Sequence, residues 1–194
     1  MMKIAVIGCG SWGQNIIRNF AELGVLAGVC DLDMDKARLQ ADRHQTFALS
    51  LNDILTDSTI DGVAIVTHAY THFEIAKDCL NAGKHVFVEK PLTMHSGEAF
   101  QLEVLAKKNR RVLMVGHLLR YHPAFIQLLK IVQEDRLGTI RRIISNRLNA
   151  GRIRHQETVL WDLAPHDLSM VMALAKSTPK SIQAQASALP ESKI

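Results

Sequence analysis

No apolar run in this 194-residue chain approaches the roughly 18 residues needed to cross a bilayer, so a membrane-spanning helix is not expected. The amino terminus, MMKIAVIGCG, also lacks the small-residue cleavage site of a signal peptide, and a cytoplasmic protein is expected. Cysteine is scarce. Cys9, Cys30 and Cys79 are odd in number, far apart and set in apolar stretches. That pattern fits buried reduced thiols better than a disulfide framework or a zinc site. The positive excess is only +4, and apart from two clusters the basic residues are spread thinly. Nucleic-acid binding usually needs a denser patch and is not expected. The first cluster, Lys107, Lys108, Arg110 and Arg111, reads as the solvated end of a helix. The second, Arg141, Arg142, Arg147, Arg152 and Arg154, reads as solvated too, with an anionic ligand as its alternative. Internal repeats and low-complexity segments are missing as well.

With 47% hydrophobic and 22% charged residues, the chain has an ordinary globular composition. Its length is generous for one domain and short for two, which predicts one complete domain followed by part of another. Short apolar runs at 3–7, 26–30, 62–66, 85–88 and 112–115 read as strands. Between them, apolar residues recur at helical spacing over 12–23, 33–43, 71–82 and 94–108. Strands alternating with helices predict a doubly wound α/β domain with a parallel sheet over residues 1–118. Near-continuous apolar strands agree, since such a sheet is covered on both faces. After Gly116 the rhythm changes to a helix over 123–134, a strand over 139–149, a helix over 162–176 and a strand near 181–189. Residues 119–194 are therefore expected to form part of an α+β domain whose sheet is unfinished.

Gly8-Cys9-Gly10-Ser11-Trp12-Gly13 directly follows the first strand and opens the first helix. In that context a GxGxxG pattern is a dinucleotide signature. Gly8 permits the tight turn, Gly10 lets a pyrophosphate approach the backbone, and Gly13 lets the helix pack on its strand. The helix amino terminus offers N–H groups and a positive dipole end to phosphate. Asp31 ends the second strand, where an acid accepts hydrogen bonds from the adenosine ribose. It also repels a 2′-phosphate, and Leu32 and Asp33 add no cation, so NAD is favoured over NADP. FAD is the minor competitor for the same fold, and helix capping is the alternative role for Asp31.

Glu89-Lys90-Pro91 follows the strand over 85–88, on the edge of the sheet where open α/β proteins bind their ligands. Thr67, His68 and His72 follow the strand over 62–66, while His117, Arg120 and Tyr121 follow the strand over 112–115. These loops gather distant side chains around one crevice. Farther on, Asp162 and His166 are four residues apart and share a face if both lie on one helix, with Pro165 confined to its first turn. A carboxylate there orients or charge-stabilises the imidazole. A metal would need two further ligands from elsewhere, and none is expected. The alternative for the pair is a capping Asp162 with a packed His166.

Together these residues resemble the glucose-fructose oxidoreductase, inositol dehydrogenase and rhizopine-catabolism family, written Gfo/Idh/MocA. GCGSWG, Asp31, VTHAYTHFEIA, AGKHVFVEKPL, GHLLRYHPA and the Asp162 to His166 pair occur in family order along essentially the whole chain. The resemblance implies a Rossmann domain followed by an α/β domain with a large open antiparallel sheet, which usually serves oligomerisation. It implies oxidation or reduction of sugar carbinol carbons with NAD(P), with Lys90, Asp162 and His166 catalytic. The cofactor-binding set is then Gly8, Gly10, Ser11, Trp12, Gly13, Asp31, Thr67, His68, His72, Glu89, Lys90 and Arg120. Ala69 stands where many members have proline, and the complete sheet of the second domain is not expected. Within the family, GHLLRYHPA, NRLNAGRIR and VLWDLAPHD look most like the nucleotide-sugar dehydrogenases acting at C3 of UDP-N-acetylglucosamine or its uronate. In the mechanism so implied, His166 is the general base, Asp162 orients it, and Lys90 hydrogen-bonds the developing oxyanion; a rival exchanges the roles of Lys90 and His166. Other readings are a noncatalytic NAD-binding sensor, a dehydrogenase of a cyclic polyol such as inositol, and a fragment of a longer enzyme. In a full-length parent, a homo-oligomer formed through the sheet of the second domain is expected.

Overall fold

A computed structural model of the chain describes residues 2–147 and 159–185. The chain divides into two compact units, Met1–Leu118 with Arg154–Pro165, and Leu119–Ile153 with His166–Ile194. The first unit runs β1 (Ile4–Ile7), α1 (Gly13–Glu22), β2 (Leu26–Cys30), α2 (Met34–His44), α3 (Leu51–Thr56), β3 (Gly62–Ile65), α4 (His72–Asn81), β4 (His85–Val88), α5 (Ser96–Asn109) and β5 (Leu113–Val115). The strands form one parallel sheet in the order β2-β1-β3-β4-β5. Outside β2, Ala48 makes a single parallel bridge to Val29. Counting that rung as a strand gives the 3-2-1-4-5-6 order of dinucleotide-binding sheets.

The expected strands and helices of this unit are present, with ends displaced by a residue or two. Helix α3 is an addition. Its signal is a capping box between Ser50 and Asp53, on a helix of only 6 residues, too short to show a periodic pattern.

The two faces of the sheet separate by the strand period of two. Ala5, Ile7, Val63, Ile65, Val86 and Val88 pack with Ile54, Ala76, Cys79, Leu80, Leu102 and Ala106 from α3, α4 and α5. Val6, Val29 and Ala64 point the other way, onto Ile17 of α1 and Ala37 and Ala41 of α2. Both faces are thus covered, and the loops at the carboxyl ends of the strands remain as the open edge. The first basic cluster lies where expected, with Lys107 and Lys108 in the last turn of α5 and Arg110 closing it in the left-handed conformation.

The second unit contains α6 (Pro123–Gln133), whose first turn is capped by the His122 side chain and carries proline, as helix starts favour. Helix α7 (Val159–Ala175) has its residues up to Pro165 in the first unit and the rest in the second. It begins three residues before the expected start at 162, so Pro165 lies inside the helix and not in its first turn. The expected strand over 139–149 is not found: residues 139–147 have no regular structure, and 148–149 lie outside the described residues. The same holds for 181–189, where 181–185 are irregular and 186–189 lie outside the described residues. An extended run becomes a strand only when a neighbour completes its hydrogen-bond ladder, and the described residues of this unit supply none.

Candidate active site

Strand β1 runs straight into the glycine turn. The Gly8 N–H donates to the Cys30 carbonyl at 2.7 Å. Gly8 has φ +108°, and a Cβ there would stand 2.5 Å from the Val66 carbonyl oxygen. A Cβ on Gly13 would stand only 2.0 Å from the Gly8 carbonyl oxygen. These two glycines therefore allow backbone to close on backbone. Gly10 differs, because nothing lies within 4 Å of the position its Cβ would take. That opening sits at the amino end of α1, whose capping residue, Trp12, makes no side-chain cap. The space and the helix dipole suit a phosphate, so the turn fits a dinucleotide.

Asp31 is tied to this turn. Its Oδ2 accepts from the Cys9 N–H at 2.7 Å and its Oδ1 from the Asp33 N–H at 2.9 Å. The capping role weighed for Asp31 belongs to Asp33, which accepts from the N–H groups of Asp35 and Lys36 at the start of α2. Each Asp31 oxygen keeps a further lone pair for a ribose hydroxyl. The nearest following cation, Lys36, is 3.1 Å from the Asp33 carboxylate, and that pairing holds the exposed Asp33 carboxyl below its usual range. Leu32 is fully exposed beside them.

The cysteines are free and buried. Burial pushes the thiols of Cys9 and Cys79 up to about 12 and that of Cys30 to about 11, which leaves them inert at neutral pH.

The loop after β4 carries Glu89-Lys90-Pro91, with a cis Lys90–Pro91 peptide. Glu89 is buried and accepts a hydrogen bond from the Trp12 indole N–H at 2.9 Å, which ties the lysine loop to the glycine turn. Lys90 Nζ donates to the Asp162 carbonyl at 2.7 Å and to its Oδ1 at 3.0 Å. Both side chains of this pair are largely withdrawn from solvent, at 15% and 16% exposure. The structure brings the Asp162 carboxylate to Lys90, a partner the sequence did not indicate. His166 lies one turn further along α7, buried, with its carbonyl accepting from Ser169 Oγ.

His72 lies at the start of α4, beside the crevice loops. It is 1% exposed, with Nδ1 2.8 Å from the Pro91 carbonyl oxygen and Nε2 3.1 Å from the Thr67 carbonyl oxygen. Its ring joins two crevice loops, with a backbone carbonyl opposite each nitrogen. The spacing of His68 and His72 also matches a metal-ligand pattern that sequence reasoning passed over. The pattern is not used, because His68 is exposed and stacked on Tyr70 at 5.5 Å. No group of three metal-ligating side chains occurs among the described residues.

Thr67 Oγ1 is 2.7 Å from Thr71 Oγ1 on the loop after β3. Ser11 is exposed on the glycine turn, and Arg120 is exposed in the single turn Leu118–Tyr121. In the second unit, sequence reasoning missed a cluster on Asp167. Arg147 Nε and Ser145 Oγ both donate to its carboxylate, the latter at 2.6 Å. Arg147, more than any other group, holds the Asp167 carboxyl below its usual range. The anion that one member of the second basic cluster meets is thus a side chain of this protein; Arg152 and Arg154 lie outside the described residues.

The model of the Gfo/Idh/MocA oxidoreductase family, NAD-binding Rossmann fold, matches residues 2–117. The chain is 32% identical over 184 residues to the UDP-N-acetylglucosamine 3-dehydrogenase of Acidithiobacillus ferrooxidans, covering 94% of this chain and 57% of the relative. A solved structure of that enzyme superposes with a TM-score of 0.78 over 93% of this chain and 56% of the other. The inositol 2-dehydrogenase of Salmonella typhimurium is 25% identical over 191 residues, covering 94% of this chain and 57% of the relative. GenD2 from gentamicin A biosynthesis, solved in complex with NAD, gives a TM-score of 0.80 at 25% identity over 89% of this chain and 53% of the other. The chain spans a little over half the length of the relatives it matches.

Proposed function

The chain belongs to the Gfo/Idh/MocA family of NAD-binding Rossmann-fold oxidoreductases, and from that premise we propose that it serves hydride transfer between NAD and a carbinol carbon of a nucleotide sugar. The observation that carries the reading is the Lys90 ammonium, held by Asp162 in the loop that Glu89 fastens to the glycine turn. The turn that Gly8 and Gly13 shape holds the pyrophosphate against Gly10, and Asp31 holds the adenosine ribose. When bound, NAD supplies the hydride acceptor. The chain's own residues manage charge and protons. Lys90 donates hydrogen bonds to the carbinol oxygen as negative charge develops on it, a contribution that grows toward the transition state. Asp162 aims the ammonium, and His166 takes the hydroxyl proton. The substrate class follows the Acidithiobacillus relative, with C3 of a UDP-N-acetylhexosamine or its uronate as the reacting carbon. Cytoplasmic residence, and self-association of a full-length parent through the sheet of its second domain, belong to the same reading.

The test is reduction of NAD in the presence of UDP-N-acetylglucosamine, its uronate and myo-inositol. Lys90→Ala is expected to lower turnover about 10²- to 10⁴-fold while NAD still binds. Unchanged turnover at saturating substrate would remove Lys90 from the reaction. Inositol as the preferred substrate would move the reading to the cyclic-polyol branch, to which the Salmonella relative belongs. NAD is expected to bind more tightly than NADP, because Asp31 repels a 2′-phosphate and Lys36 is already paired. Asp31→Ser with Leu32→Arg is expected to reverse that order, and a preference for NADP in the unaltered chain would refute it.

A further inference from the structure

Trp12 belongs to the turn after β1, and Glu89 to the loop after β4. Strand β3 lies between those two strands in the sheet. Neighbouring strands are about 4.8 Å apart, so the indole reaches past the carboxyl end of β3 to place its N–H 2.9 Å from Glu89 Oε1. The partners differ in environment. Trp12 is 45% exposed, whereas Glu89 is only 8% exposed. A carboxylate that is nearly buried needs donors. The second oxygen of Glu89 has the Lys90 N–H at 3.3 Å, a long contact, and the indole supplies the shorter one. Gly116 closes the other side, since a Cβ there would meet Glu89 Oε1 at 2.8 Å and Oε2 at 3.0 Å. The carboxylate is therefore confined by backbone while an exposed aromatic donor approaches from the crevice side. An indole N–H only donates and a carboxylate only accepts, so the contact has one polarity and one geometry.

We propose that Trp12 and Glu89 act as a single positioning pair that holds the glycine turn in its binding geometry before the dinucleotide arrives. Neither residue needs to touch the reacting atoms. The hydrogen bond spans the crevice mouth and removes freedom that the turn would otherwise lose on binding. This inference rests on the reading that the chain binds NAD at that turn.

A double-mutant cycle on NAD affinity, measured by calorimetry on the full chain, tests it. Trp12→Phe keeps the ring packing and deletes the donor; Glu89→Ala deletes the acceptor. Each is expected to weaken binding about tenfold, and the double variant about tenfold as well, not a hundredfold, because the pair has only one bond to lose. Glu89→Gln, whose amide oxygen still accepts from the indole, is expected to recover most of the affinity lost in Glu89→Ala. If Glu89→Ala does not fold, the cycle closes with Trp12→Phe and Glu89→Gln alone: Glu89→Gln then has a small effect in the unaltered chain and none beside Trp12→Phe. Additive losses, single variants that bind like the parent, or a Glu89→Gln variant as weak as Glu89→Ala would overturn the proposal. An unaltered chain that binds no NAD at all would overturn the underlying functional reading too, and the parent titration alone would show it.

Discussion

The two units use similar apolar residues and treat them differently. In the first, every strand has a ladder partner, and Ala5, Val6, Ile65, Val88, Leu80 and Leu102 are wholly excluded from solvent. In the second, Ile126, Leu128, Ile144, Leu168 and Met172 are all exposed, and α6 buries only Phe125. The difference lies in how far along the chain a residue must look for its cover. Each strand-helix-strand unit of the first region closes within a few tens of residues, and its helix immediately covers the strands it joins. In the second region, a helix and an irregular segment have no sheet among the described residues to lie on. Stability and site geometry are therefore concentrated in the first unit, where the glycine turn and the lysine loop are anchored.

That concentration is broken most severely at Gly13. Alanine there would place a Cβ 2.0 Å from the Gly8 carbonyl oxygen, and backbone on both sides has to move. Gly13→Ala is expected to cost about 4 kcal/mol or more and to abolish NAD binding. Gly10→Ala provides the contrast, because its Cβ meets nothing within 4 Å. It is expected to unfold within about 0.5 kcal/mol of the parent, yet to bind NAD at least about tenfold more weakly, equivalent to about 1.4 kcal/mol, because the methyl fills space meant for the pyrophosphate. Urea unfolding and calorimetry of both variants separate fold from function. Equal effects at the two glycines would refute the distinction between a packing glycine and a binding one.

The same contrast explains what was legible in the sequence. The five strands, the glycine turn and the lysine loop were readable because each is written in contiguous residues: an apolar run, a GxGxxG after it, and Glu89-Lys90-Pro91 at a strand end. The partner of Lys90 was not. Asp162 is 72 residues away, and no spacing within one element links it to Lys90. The neighbours of His72 were not readable for a related reason, since they are backbone carbonyls, which no sequence pattern displays. Trp12 to Glu89 spans 77 residues and carries no periodic signal. The strands expected over 139–149 and 181–189 rested on local β propensity, which depends on a pairing neighbour to become structure. Spacing within one element was thus readable, and pairing between elements was not.

A milder way to sharpen the comparison is to delete equal volumes from each unit. Leu102 is fully buried among the residues of α4, α5 and the sheet, so Leu102→Ala is expected to cost about 3 kcal/mol through lost transfer energy and an unfilled cavity. Ile144 is 73% exposed, and Ile144→Ala is expected to change stability by less than about 0.5 kcal/mol. Denaturant midpoints measured side by side decide this. Comparable losses at both positions would show that the second unit has a core of its own.

The smallest effect concerns the Asp167 cluster of the second unit. Arg147 and Ser145 hold Asp167 in its ionised form, so its folded-state pKa lies below the unfolded value of 3.8. A depressed carboxylate stabilises the fold fully above the unfolded pKa, and that stabilisation disappears as pH falls through the folded one. The side chains are 30% and 18% exposed, so solvent screening limits the pair to about 1 kcal/mol or less. Arg147→Met keeps the apolar stem and removes the charge. Its deficit is therefore expected in full near about pH 6 and should shrink toward zero once the pH is below the folded pKa of Asp167, where the parent has lost the ion pair as well. Hydrogen exchange of the α7 amides beyond His166 reads this within the second unit. A deficit that stays constant, or grows, as the solution is acidified would mean that Arg147 acts through packing and not through the Asp167 charge.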